Sequence, residues 1–201
     1  MNGLNSLPIL YSYRRCPYAM RARMAIKYTD IPVETREISL KDKPAHLLEV
    51  SPKGTVPVLV LPGGKVIDQS IEIMYWALHE NDVDGWLSAD ASQTRQLIDE
   101  NDGSFKQALD KYKYAIRFPE QSAQVYRTQS EEFLSKLERK LEGTSFLVAD
   151  TLSLADIAIF PFIRQFAAVD ATWFESADYL KLKTWLKHLV ESELFQSVME
   201  K

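Results

Sequence analysis

The apolar pattern of this 201-residue chain changes period near residue 81, and that change limits what the chain can fold into. Before it, short apolar runs alternate with helical patterns. Strands are expected at 8–13, near 33–38, at 56–61 and at 65–67, with helices from Cys16 to about Tyr28, over 44–50 and over 69–80. Pro62-Gly63-Gly64 supplies a hairpin turn between the last two strands. After the polar stretch 80–85 the pattern is helical almost to the end. Short strands interleaved with helices and a single hairpin imply a small mixed sheet with helices packed on it. The expected organisation is a sheet domain over 1–80, a linker over 81–90 and an all-helical domain over 91–201.

In the second part, Phe133, Leu137 and Leu141 form one stripe four apart, and Trp185, Leu186, Leu189 and Val190 form another. The best-specified local structure is Leu152-Ser153-Leu154-Ala155-Asp156-Ile157. With Ser153 as N-cap, Asp156 falls at the third helical position and returns a hydrogen bond to the cap backbone, an Asp version of the capping box, while Leu152 and Ile157 are spaced for a hydrophobic staple. The following Ile157-Ala158-Ile159-Phe160-Pro161-Phe162-Ile163 is apolar on every face, which places this helix in the core with a bend at Pro161. Asp156 is therefore read as a capping acid rather than a catalytic one.

Cys16 is the only cysteine of the chain and stands in Arg14-Arg15-Cys16-Pro17-Tyr18-Ala19-Met20-Arg21, directly after the first strand. A thiol at a helix start faces backbone N–H groups and the positive end of the helix dipole, both of which favour thiolate. Pro17 suits the first helical position, where its missing N–H costs nothing. Arg14, Arg15, Arg21 and Arg23 add positive charge nearby, and Met20, Met24 and Tyr28 give the helix an apolar stripe. A buried structural cysteine is the competing reading. The flanking proline and arginines favour the reactive one.

One cysteine excludes an internal disulfide framework, so nothing calls for an oxidising compartment. The first residues lack a basic segment followed by an apolar run, and no stretch reaches eighteen uninterrupted apolar residues, so a cytoplasmic protein with no membrane partner is expected. The net charge is -4 with no basic block, which argues against a nucleic-acid partner. Charge is unevenly divided: the first 80 residues carry ten Lys/Arg against eight Asp/Glu, the remainder fourteen against twenty. A mildly basic first part suits a small acidic ligand. His46, His79 and His188 share no ligand spacing with Cys16, so no metal is expected.

Four motifs in order carry a resemblance: Cys16-Pro17-Tyr18 after the first strand, Gly54-Thr55-Val56-Pro57-Val58-Leu59, Asp68-Gln69-Ser70-Ile71-Glu72-Ile73, and Ser153-Leu154-Ala155-Asp156-Ile157-Ala158. Together they resemble the cytosolic glutathione transferases over essentially the whole chain. Cys16-Pro17-Tyr18-Ala19 resembles the cysteine-type, omega-like branches, of bacterial type, and the active site of glutaredoxins. The resemblance implies a thioredoxin-like N-terminal domain with a four-stranded mixed sheet, a helical C-terminal domain, glutathione as co-substrate and a homodimer.

It also implies roles for particular residues. Cys16 would be the catalytic thiol. Pro57 would be a cis-proline presenting the Val56 backbone to the cysteinyl part of glutathione like an added strand. Gln69 and Ser70, at the next helix start, would hold the γ-glutamyl carboxylate, and Lys53 the glycyl carboxylate. Outside the family, Ser70 would read as a helix cap and Lys53 as a solvated loop residue.

No second thiol is present to resolve a mixed disulfide at Cys16, so glutathione itself is the natural resolving thiol. The expected cycle has Cys16 attack a glutathionylated or otherwise oxidised substrate and then lose its glutathione to a second one. Two alternatives share the fold. In a conjugating transferase a hydroxyl from Tyr11, Ser12 or Tyr13 would activate the glutathione thiol for attack on an electrophile; a binding or regulatory module would not turn over at all. The second substrate is expected between the domains, against Phe105, Tyr112, Tyr114 and Phe118, with Trp173 and Phe174 as contributors; Tyr112 and Phe118 are the leading candidates.

Overall fold

The computed structural model describes residues 6–200 and divides into two compact units. One runs up to Asp84 and is completed by the segment from Glu193 onward; the other is Gly85–Ser192.

In the first unit, β1 (Ile9–Ser12), β2 (Glu34–Glu37), β3 (Val58–Val60) and β4 (Val66–Ile67) form one sheet in the order β2-β1-β3-β4. β1 pairs parallel with β2 and antiparallel with β3, and β3 pairs antiparallel with β4. All the strands and helices expected before residue 81 are present. Most are shorter than expected by one or two residues at their ends. The hairpin turn uses Gly63 and Gly64 at φ of +91° and +88°, where a side chain would be strained. β2 is an edge strand of sequence Glu-Thr-Arg-Glu exposed throughout, and its charges discourage pairing with another chain.

Successive β1 side chains point to opposite faces. Tyr11 enters a cluster with Ile38, Leu47, Val58 and Val60 beneath the short helix α2 (Ala45–Val50), while Ser12 bonds to Arg23 of α1 (Pro17–Tyr28). α1 packs against α3 (Ser70–Glu80) and against the last helix of the chain. The expected stripe of Met20, Met24 and Tyr28 faces inward, and neighbours on several sides extend the burial beyond it. Nine of its residues are buried, Arg21 and Arg23 among them.

The second unit holds α4 (Ala91–Glu100), α5 (Lys106–Lys113), α6 (Ala123–Gly143), α7 (Leu154–Ala167), α8 (Ala171–Ser176) and α9 (Leu180–Glu191). α4 and α5 are joined by a π-helical turn, Asn101–Phe105, whose extra residue per turn buries both Asn101 and Phe105. The expected stripes lie on α6 and α9 and face inward, with Val190 half-buried at the margin. α7 is buried on every side and continues as one helix through Pro161.

The capping box at the start of α7 is formed as the sequence implied. Asp156 does more than cap. Its Oδ2 accepts from the Ser153 N–H (3.0 Å) and hydroxyl (2.6 Å), and its Oδ1 accepts from the Leu147 N–H (2.9 Å) and Trp185 Nε1 (2.8 Å). One carboxylate thus joins α7, the loop before it and α9. Burial pushes this carboxyl above its ordinary value, while the four donors pull the other way.

α10 (Glu193–Met199) departs from the expected helical domain of 91–201, because it packs on α1 of the first unit. Phe195 is its buried anchor. The expected linker 81–90 is likewise fastened: Tyr28 donates to Asp82 and accepts from the Asp84 N–H, and Trp86 is buried with its carbonyl taking the Leu154 N–H.

Candidate thiol site

Cys16 is the N-cap of α1, with extended backbone (φ -77°, ψ 122°), and Pro17 follows at the first helical position. Its amide closes a turn onto the Tyr13 carbonyl at 2.9 Å, so the turn 13–16 fixes where the thiol stands. The thiol is half-buried and donates to the Val56 carbonyl at 3.7 Å. Just before Val56, Gly54 takes a left-handed φ of +60°, and the Val56–Pro57 peptide is cis. A Cβ at Gly54 would lie 3.0 Å from Leu48 Cδ2, a tight contact on top of a backbone conformation that L side chains rarely adopt.

The start of α3 is close to α1. Gln69 is the N-cap, without a side-chain cap bond, and Ser70 is the first helical residue. Ser70 is therefore not the cap. It is buried, and its hydroxyl accepts from Arg21 Nε at 3.0 Å, while the Arg21 guanidinium lies over the Tyr18 ring at 5.1 Å. Lys53 forms an ion pair with Asp68 at 2.8 Å, and Ser51 donates to the same carboxylate at 3.5 Å. Cys16, Val56 and the α3 start are thus held together by named bonds, and Lys53 stands beside the residue that leads into α3.

Two of the three neighbouring hydroxyls, those of Tyr11 and Ser12, are engaged elsewhere. Tyr11 is buried and shares a 2.6 Å hydrogen bond with His46 Nδ1, while Arg36 donates to its oxygen at 3.2 Å. Ser12 is fully buried and accepts from Arg23 at 2.5 Å. Tyr13 is half-buried and packs against the Tyr11 cluster.

One feature was missed from the sequence. The arginines of α1 read there only as a positive field, yet Arg21 and Arg23 are buried and bond to specific oxygens. Two arginines two apart within 19–26, a stretch otherwise made of Met, Ala and Ile, were the available signal, since a charge is rarely buried without a partner.

The aromatic wall expected for a second substrate is mostly core within the second unit. Phe105 is buried against Phe133 and Phe166, and Phe174 against Phe166. Tyr112 is buried with its ring 5.4 Å from that of Phe166, and burial pushes its hydroxyl up. Phe118 is half-buried, its carbonyl accepting from Tyr126. Tyr114 is exposed between Lys113 and Arg117, and Trp173 is covered by Arg127 at 4.2 Å. Among the described residues, no group of three or more His, Cys, Asp or Glu could hold a metal ion.

Comparison with known proteins adds two family models, glutathione S-transferase N-terminal domain over residues 10–83 and glutathione S-transferase C-terminal domain over 95–193. The chain is 30% identical over 200 residues to glutathione S-transferase omega-1 of Rattus norvegicus, covering 94% of this chain and 78% of that protein. Among solved structures, glutathione transferase Omega 3C of Trametes versicolor matches with a TM-score of 0.80 at 20% identity, over 99% of this chain and 91% of that one. A glutathione transferase of Phanerochaete chrysosporium, solved with oxidised glutathione, matches with a TM-score of 0.82 at 17% identity, over 96% and 95%.

Proposed function

Because the chain belongs to the glutathione S-transferase family, we propose that it is a cysteine-type, omega-like transferase whose Cys16 thiolate exchanges glutathione through a mixed disulfide. The observation that carries this reading is the state of the groups at the end of β1. Tyr11 and Ser12 are buried and bonded to His46, Arg36 and Arg23, whereas Cys16 is half-buried at a helix start. A nucleophile must reach its substrate, and Cys16 has that access; Tyr13 is half-buried too, but its phenol is a far weaker nucleophile than a thiolate.

In the proposed cycle the Cys16 thiolate attacks the glutathione sulfur of a glutathionylated substrate. The substrate sulfur leaves and takes a proton, and Cys16 is left joined to glutathione. A second glutathione thiolate attacks the glutathione sulfur of that disulfide, releasing oxidised glutathione and restoring the Cys16 thiolate. The substrate disulfide is reduced by two electrons, and two glutathione moieties leave as the disulfide. The Val56 backbone would pair with the tripeptide, the α3 start with Gln69 and Ser70 would receive the γ-glutamyl carboxylate, and Lys53 the glycyl carboxylate. The Lys53–Asp68 pair is 40% and 37% exposed, so opening it for a ligand costs little. Phe118, half-buried, remains the proposed contact of the second substrate, whereas Tyr112 is buried against Phe166.

The test is a glutathione-dependent assay run in parallel on a small mixed disulfide and an aromatic halide, with mass spectrometry of the protein during turnover. Disulfide reduction and a Cys16–glutathione adduct are expected. A stable thioether product without the adduct would favour conjugation, and glutathione binding without turnover a binding module.

Cys16 is expected to titrate below the ordinary thiol value of about 8.5. The Val56 carbonyl favours the protonated thiol, but one weak S–H bond is outweighed by the helix start and the nearby Arg23 charge. Thiolate absorbance against pH checks this, and an unshifted curve would contradict it.

Replacing Ser70 with Ala should weaken glutathione binding by about 1–3 kcal/mol through the lost bond to a carboxylate. Thermal unfolding of the ligand-free protein reads the loss of the Arg21 bond separately. Unchanged affinity by calorimetry would move the carboxylate elsewhere.

A further inference from the structure

Arg23 lies on the face of α1 that meets both β1 and the end of the chain. It is buried, and its guanidinium is shared between two segments far apart in sequence. Toward the turn before Cys16, Nη1 donates to Ser12 Oγ and to the Tyr13 carbonyl at 3.5 Å, and Nη2 donates to the Arg14 carbonyl at 3.0 Å. Toward α10, Nε donates to the Val198 carbonyl at 3.3 Å, and Nη2 lies 3.9 Å from the Met199 sulfur. The Tyr13 carbonyl that Arg23 holds is the same one that accepts the Cys16 amide.

We infer that Arg23 is a positioning residue for Cys16, and that α10, by gripping Arg23 through the Val198 carbonyl, belongs to the thiol site although it lies at the opposite end of the chain. The geometry suits a guanidinium and no other side chain. Its rigid fork presents five donors in a plane, enough to serve the turn on one side and a helix carbonyl on the other. A lysine would keep the charge but bring one flexible ammonium. Holding the turn decides where the thiol stands relative to the first backbone N–H groups of α1, whose effect falls off within a turn.

The charged groups around Arg23 are Arg14 of the turn, Lys27 of its own helix, Asp30 just beyond that helix, Glu37 of β2 and Glu200 after α10; they share a cavity of about 720 Å³ with it. Burial lowers the Arg23 proton affinity, and Glu37 and Cys16 raise it. An arginine stays charged throughout, and iodoacetamide reads the thiolate itself. A shift in the alkylation profile between pH 6 and 9 therefore belongs to Cys16, the only cysteine.

The importance of this device for turnover rests on the proposed role of Cys16, but its test does not. The rate of Cys16 alkylation by iodoacetamide is measured against pH in the full chain, with Arg23→Lys and Phe195→Ala as the variants. Arg23→Lys keeps the charge and loses the fork. Phe195→Ala leaves Arg23 intact and loosens α10. Both should slow alkylation near neutral pH by roughly three- to tenfold and move the profile to higher pH, as expected when a thiolate gives up part of its helix-start stabilisation. Combining them should add little to either. Wild-type profiles in both variants, or fully additive effects, would overturn the inference. If Arg23→Lys does not fold, Phe195→Ala decides alone: a slowed profile supports the link and a wild-type profile refutes it. Failure of the Cys16 mechanism would show instead in the activity of Cys16→Ser, which alkylation does not read.

Discussion

In Cys16→Ser, glutathione-dependent disulfide reduction is expected to fall by at least about a thousandfold, toward the rate of glutathione alone, because the variant has no thiol to form the mixed disulfide. Glutathione should still bind, since the proposed contacts at Val56, Ser70 and Lys53 do not pass through the sulfur. Conjugation of an aromatic halide is expected to persist or rise, because a serine hydroxyl at the helix start can donate to the glutathione thiolate and stabilise it for attack on the halide. The ratio of the two activities, measured on one preparation of checked fold and glutathione affinity, is the informative quantity. If disulfide reduction survives, Cys16 is not the nucleophile, and Tyr13, the least committed hydroxyl at the end of β1, becomes the first group to test.

The first unit was legible in the sequence because its punctuation is local. Pro17 marks where α1 begins, Gly63 and Gly64 supply the positive φ of the hairpin, and the pleat sends Tyr11 and Ser12 of β1 to opposite faces of the sheet. The box at Ser153 and Asp156 was legible for the same reason, since its partners are three residues apart. What stayed hidden depends on partners remote in sequence. The docking of α10 on α1 joins residues some 175 positions apart, as between Arg23 and Val198, and no periodicity within 193–199 says which surface it covers.

The aromatic wall failed as a set for a related reason. Spacing along α5 puts Phe105 and Tyr112 on one side of a helix, but cannot tell a core side from a ligand side. The π-helical turn also rotates Phe105 relative to a regular helix, so it meets Phe133 and Phe166. Likewise the arginines near Cys16 were legible as charge but not as bonds: only the fold shows that Arg21 serves Ser70 while Arg23 serves Tyr13 and Arg14.

The largest loss of stability is expected at Asp156, and it separates a structural acid from a catalytic one. Each of its oxygens accepts from two donors, Ser153 N–H and hydroxyl on one, Leu147 N–H and Trp185 Nε1 on the other. Asp156→Asn is nearly isosteric, yet its NH2 must face one of those pairs, leaving buried donors opposed at about 1–3 kcal/mol each. Relief of the buried charge offsets part of this, since burial already disfavours the carboxylate. The net loss should be about 2–4 kcal/mol for Asn and about 4 kcal/mol or more for Ala, which abandons all four donors. Urea unfolding measures both, and the ordering matters as much as the size. Activity per folded molecule should stay near wild type, because the four donors come from Ser153, Leu147 and Trp185, none of them assigned to the thiol site. A variant that keeps its stability but loses turnover would reverse the assignment and make Asp156 a functional acid.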